Sequence, residues 1–144
     1  MNQHIRSSAL PLPQEGVAPR KWTGDEVLAM VRAGILREGD RVELLAGEII
    51  ALPPKGARHE IMRNELATFW SDRRPKDVKL AHEPSLHLSP HNEPEPDIIL
   101  FPASMRVPDV RGDTVLLVVE ISDSSLSYDL TVKAPIYAAF GVRE

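Results

Sequence analysis

PEPDIILF, residues 94–101, and LLVVEIS, residues 116–122, decide how this chain folds. The first stretch puts Pro96 and Asp97 at the entrance to a short apolar strand. The second is a continuous apolar run of the kind a fully buried strand shows, interrupted near its end by Glu120. Between them lie residues 102–113, with Pro102, Pro108 and Gly112 as turn residues sufficient to reverse the chain. Antiparallel pairing sets the start of the first strand beside the end of the second. Asp97 and Glu120 then meet at one end of a sheet. Two carboxylates held close repel unless a cation or a shared proton sits between them. This pair is the sharpest functional signal in the sequence.

The bulk composition narrows the setting. A chain of 144 residues is one domain with room for a real core. Only 5% of its residues are aromatic, so that core rests on Leu, Ile and Val. Without cysteine the chain has no disulfide, no thiol nucleophile and no thiolate metal site. No apolar run approaches the roughly 20 residues of a membrane span, and the first residues lack the pattern of a signal peptide. The expectation is a soluble cytoplasmic protein. A net charge of −4 argues against a generic nucleic-acid binder but not against a nuclease, because metal-collecting acids lower the net charge. Arg73, Arg74, Lys76 and Lys79 form a basic cluster, read first as a solvated helix end and second as a phosphate contact.

Taken in order, residues 1–21 contain Pro11, Pro13 and Pro19 and read as a flexible arm before a domain over 22–144. Thr23 and Glu26 fit a capping box that opens a helix running to about Leu36. Residues 41–51 read as a hairpin around Ala46-Gly47, with Val42 and Leu44 on one face and Glu43 and Leu45 on the other. Glu43 is thereby either a sheet-edge residue, the favoured reading, or a site residue. A second helix over 59–74 carries Met62, Leu66, Phe69 and Trp70 as a buried stripe. His59 extends that face, as a structural histidine by preference over a catalytic one. Residues 78–88 alternate as a strand broken near Pro84. His82, His87 and His91 lack the spacing of a zinc site and read as surface or edge residues. A polar linker follows Ser122. A last short helix has Pro135 in its first turn, Gly141 as its cap and Lys133 at its entrance. Lys133 is equally well a solvent residue or a cation leaning over the carboxylate pair.

In this order, RVELLAGEII with Glu43, GARHEIM with His59, EPDIILF with Asp97, LLVVEIS with Glu120, and Lys133 with Tyr137 ahead of Gly141-Val142 form a pattern. It resembles the Uma-two family of endonucleases, a branch of the PD-(D/E)XK restriction-endonuclease-like superfamily. The likeness runs from about Trp22 to the last residue. It implies an α/β (α+β) fold, a mixed sheet flanked by helices. It also implies Asp97 and Glu120 as ligands of Mg²⁺ or Mn²⁺, with the backbone carbonyl of Ile121 as a further one. The motif's lysine falls at Ser122, and Lys133 is the implied substitute, activating water or stabilising charge on the phosphate. Glu43 would be an outer-shell or second-metal carboxylate, and His59 a base or water-positioner. Family members continue past this last helix into a further strand. The chain stops at Val142-Arg143-Glu144, so either the sequence is truncated or a sheet edge is left uncovered.

The expected function is metal-dependent hydrolysis of DNA phosphodiester bonds, with DNA as partner and, for cutting a duplex, a homodimer. The rival is a catalytically inactive nuclease fold serving as a nucleic-acid or protein-binding module. A third class, an antitoxin-like or regulatory partner, has nothing in the residues that speaks for it.

Overall fold

The structure, a computed structural model, describes residues 16–37 and 39–144. The expectation of a flexible arm falls mostly on residues 1–15, which lie outside the described residues. Helix α1 (Gly24–Arg32) opens on the predicted capping box: the Thr23 hydroxyl accepts from the Glu26 amide, and the Glu26 carboxylate accepts from the Thr23 amide. It ends four residues earlier than expected, with Gly34 at a φ of +72°.

Strands β1 (Val42–Leu45) and β2 (Glu48–Ala51) pair antiparallel around the predicted turn. Ala46 and Gly47 have φ of +50° and +77°, the double left-handed turn that matches hairpin twist. Helix α2 (Ala57–Arg73) follows, and then a separate three-stranded sheet in the order β3 (Val78–His82), β4 (Ile98–Pro102), β5 (Leu117–Val119), all antiparallel. Central β4 has neighbours on both edges, and Ile98, Ile99, Leu100 and Phe101 are all buried. Leu86, Ile99, Phe101, Val110, Val115 and Tyr137 make the core, as the shortage of aromatic residues required.

Two expectations about burial are corrected. β5 is only half-buried, because it is the sheet's edge strand and has one strand partner. Its outer edge meets the chain where the Val118 amide donates to the Glu144 carbonyl (2.8 Å), and among the described residues no strand follows. The stripe predicted on α2 is also displaced. Met62 and Phe69 are exposed, while His59 and Ala67 are buried, with Arg63, Leu66 and Trp70 partly so. The inward face keeps Leu66 and Trp70 but is turned by roughly 60° of helix toward Arg63 and Ala67. Its first turn covers a polar cleft and therefore carries His59 and Arg63.

The last helical stretch also differs from the sequence reading. It starts inside the expected linker, as α3 (Leu126–Tyr128), passes through a wide π-turn (Asp129–Lys133), and continues as α4 (Ala134–Ala139). Pro135 lies in the first turn of α4, as expected, but α4 itself continues a helical run that begins at Leu126. Pro135 has no amide to give to the preceding turn, and the Ala134 amide reaches back five residues to the Asp129 carbonyl. The Thr131 hydroxyl donates to the Ser127 carbonyl (2.6 Å) in the same widened segment.

Candidate active site

The antiparallel register Ile98↔Val119 puts Asp97 and Glu120 next to one another, just beyond the paired ends of β4 and β5. The Ile121 amide closes this end by donating to Asp97 Oδ2 (2.7 Å). The hairpin arrives from the other side. β1 is tied to the chain ahead of β4 by reciprocal backbone bonds between Leu44 and Glu93 (3.2 and 2.7 Å), and the Asn92 side chain accepts from the Ala46 amide. That docking carries Glu43 inward.

Glu43 is therefore not a solvent-facing edge residue: its side chain is fully buried. Its Oε1 accepts from the Tyr128 hydroxyl (2.9 Å). Its Oε2 accepts from the Glu95 amide (3.2 Å) and faces Lys133 Nζ (3.1 Å). Lys133 Nζ also reaches Glu120 Oε1 at 2.6 Å, where the Tyr137 hydroxyl donates as well (2.5 Å). Lys133 is buried, not a solvent lysine, and the π-turn sets its direction. Two carboxylates share one ammonium here. Burial works against the Lys133 charge, yet Glu120 and Glu43 together hold its pKa above the ordinary lysine value. Burial pushes Glu120 up to about 7, against the pull of Lys133 and Tyr137, and the neighbouring Asp97 charge adds to the rise. Burial and the same carboxylates also raise both tyrosine hydroxyls, so they act as donors.

On the other side, Asp97 Oδ1 receives His59 Nε2 (3.0 Å) and Lys55 Nζ (2.5 Å). Burial alone would raise the Asp97 pKa, but the Lys55 and Ile121 hydrogen bonds and the Lys55 and His59 charges bring it below the usual carboxylate value. Lys55 also pairs with Glu83, which Arg63 holds from α2 (2.7 Å). Glu83 sits at the break predicted near Pro84, with a φ of +45°. His59 Nδ1 is buried without a hydrogen-bond partner. Between the two sides opens a cleft of about 330 Å³, lined by Lys55, His59, Asp97, Glu120, Ile121 and Lys133 among others. Glu43 lies one layer behind it.

Ser122 does not face the carboxylates as a functional group. Its hydroxyl and that of Ser125 donate to Asp129 Oδ2 (2.6 and 2.7 Å), which holds the turn into α3. His87 pairs with Glu93 and His91 with the Trp22 carbonyl, away from the cleft, while His82 lies exposed at the end of β3. In the basic cluster, Arg73 stacks on Phe69 and Arg74 bonds the Val78 carbonyl, both structural uses.

Lys55 and Tyr128 were missed by sequence reasoning. Lys55 sits in Pro53-Pro54-Lys55-Gly56, between the predicted hairpin and the second helix, where the residues show no periodicity. Its place between a hairpin leading from Glu43 and the helix starting near His59 was the available signal. Tyr128 was read as linker.

A carboxylate pair at adjacent strand ends, a buried lysine against one of them and a histidine against the other meet in one cleft of an α+β fold. The chain belongs to the Uma2 family, described as "Putative restriction endonuclease", whose model matches residues 25–144. No curated protein matches the chain. Among the described residues no helix is long and apolar enough to cross a membrane.

Proposed function

We propose that this chain hydrolyses DNA phosphodiester bonds with a divalent cation, Mg²⁺ or Mn²⁺, held by Asp97 and Glu120. The observation that carries the reading is the convergence of these two carboxylates, from paired strand ends, on a cleft that Lys133 enters from behind.

The donor set suits such a cation. Among the described residues no group of three or more His, Asp or Glu side chains is placed to hold a metal ion, so a cation here would rest on two side-chain ligands. Mg²⁺ is ordinarily bound by one or two carboxylates, keeping its remaining positions for water and substrate phosphate. The Ile121 carbonyl is the further protein oxygen proposed. Bound there, the cation would supply charge neutralisation at the phosphate and a water acidic enough to attack. Lys133 orients Glu120 by its 2.6 Å contact and keeps positive charge behind the cleft. Tyr128 and the Glu95 amide hold Glu43, and Glu43 in turn holds Lys133. His59 orients Asp97 through Nε2, leaving Nδ1 as the proton acceptor or donor of the pair.

The test is Mn²⁺-dependent nicking of plasmid DNA by the wild-type chain and by Asp97→Asn and Glu120→Gln. Both variants are expected to lose cleavage by on the order of a hundredfold or more while remaining folded, as loss of a directly acting group does. Undiminished cleavage in either variant would refute the site. The rival, a binding module on a nuclease fold, draws on one observation: Lys55 already neutralises Asp97. Under that reading DNA binds equally to all three chains and none cuts it.

A further inference from the structure

Lys55 has no part in the chemistry above, yet it makes the shortest quoted contact to the central carboxylate. Asp97 presents about four lone-pair positions. Lys55 and His59 occupy Oδ1, and the Ile121 amide occupies one position of Oδ2. A cation seated on Asp97 while Lys55 stays in place would meet an ammonium on the same oxygen, at a separation where like charges in a protein cleft repel strongly.

We propose that Lys55 is a built-in competitor for the cation site: its ammonium and the divalent metal exclude one another at Asp97, so metal loading releases Lys55. This rests on the metal-dependent reading above and extends it.

Three features of the chain support the exchange. Lys55 belongs to a loop between β2 and α2, not to a helix or strand, so its displacement breaks no ladder. Its side chain stretches into the cleft from the rim, next to Gly56, where a β-carbon would meet only Asp123, at 3.9 Å. Glu83 gives it a second carboxylate outside the pair, itself anchored by Arg63, so the displaced ammonium keeps a partner. His59 differs: it is buried on α2, and its other carboxylate neighbour, Glu60, is 3.7 Å from Nδ1, beyond hydrogen-bond reach. The coupling is reciprocal, since whatever Lys55 costs the metal, the metal costs Lys55.

The experiment is calorimetric titration of Mn²⁺ into the full chain, with no DNA present. It compares wild type, Lys55→Met, which keeps the apolar stem and removes the charge, and Lys79→Met. Lys79 is an exposed residue toward the far end of β3 from Asp97 and controls for the same change in net charge. Lys55→Met is expected to bind Mn²⁺ on the order of tenfold tighter than wild type, within the usual range of site-to-site coupling, and Lys79→Met to match wild type. Equal or weaker binding by Lys55→Met overturns the competition and leaves the metal reading standing, as does equal tightening by Lys79→Met. Binding by none of the three chains refutes both. Should Lys55→Met fail to fold by circular dichroism, Lys55→Gln serves in its place.

Discussion

The two sides of the cleft use the same chemistry, lysine against carboxylate, to opposite effect. On one side Lys133, Glu43 and Glu120 are closed in by two tyrosines, and the exposures are 4% for Lys133, 0% for Glu43 and 17% for Glu120. On the other, Lys55 (14% exposed) reaches from a loop to the buried Asp97 (6%) and to Glu83 (38%), so its contact with Glu83 is the one that lies at the rim. A charge pair out of water stays bound because separation leaves a bare ion in a poor solvent, whereas a pair at the rim exchanges partners at little cost. The buried side is scaffold and the rim side is replaceable.

The largest break in that contrast is Lys133→Met. It strands two buried carboxylates, and the expected loss is about 3–5 kcal/mol, as for an uncompensated buried charge. Thermal unfolding followed by circular dichroism should show a fall of roughly 10 °C or no folded state at all. A fall of only a degree or two would mean that Lys133 does not neutralise the pair. Tyr128→Phe comes next. It removes one donor from a fully buried carboxylate, worth about 1.5–3 kcal/mol for a hydrogen bond to a charged group. Its signature is lost stability without any change in Mn²⁺ affinity, since Glu43 stands behind the cleft.

These sites differ in how much of them could be read from the sequence. Asp97 and Glu120 were legible because strand pairing is a local inference: one apolar run, one turn region and a second run fix which ends meet. Glu43 was not, because alternation says only that it points away from Val42 and Leu44. What buries it is the docking of β1 on residues 91–95, some fifty positions along the chain. The α2 stripe failed for a related reason. Apolar periodicity assumes that the inward face is apolar, and here it covers a polar site, so Arg63 and Ala67 turn inward where Met62 and Phe69 were expected, while His59 lies on the face the periodicity gave it. Lys55 lay in a segment with no periodicity, and only the fold brings it 42 positions along the chain to Asp97.

A pH titration of stability sharpens the contrast further. The Glu120 pKa is raised by burial from 4.5 to about 7, so between those values the folded chain binds more protons than the unfolded one. Its contribution is fully present below the unfolded value and is lost as pH rises through about 7. Asp97 runs the other way: its pKa is lowered, so its contribution is present above the unfolded value and is lost as pH falls through the folded one. The melting temperature of the wild type should therefore decline on going from mildly acidic to mildly alkaline buffer, and Glu120→Gln should flatten that decline. An unchanged slope in the variant would locate the titration elsewhere.

The smallest effect belongs to Lys55→Met. Asp97 is buried but keeps His59 and the Ile121 amide when the ammonium goes, so the loss should stay near or below about 1.5 kcal/mol, the low end for a hydrogen bond to a charged group, and the melting temperature should move by a few degrees. A drop as large as that of Lys133→Met would erase the distinction between the two sides.

The π-turn of residues 129–133 has one further consequence. It holds one residue more than an α-helical turn does, so the helix before it and the helix after it are out of phase by about 100°. Deleting a single residue there, such as Thr131, would return the turn to α-helical spacing, with Pro135 then inside a regular helix and still without an amide to give. The same edit would rotate one flank against the other, and Lys133 and Tyr137 could no longer face Glu120 while Tyr128 faces Glu43. The irregularity acts as a phase adjuster, keeping three side chains aimed at two acids, and a more ideal helix would be a worse one for this protein.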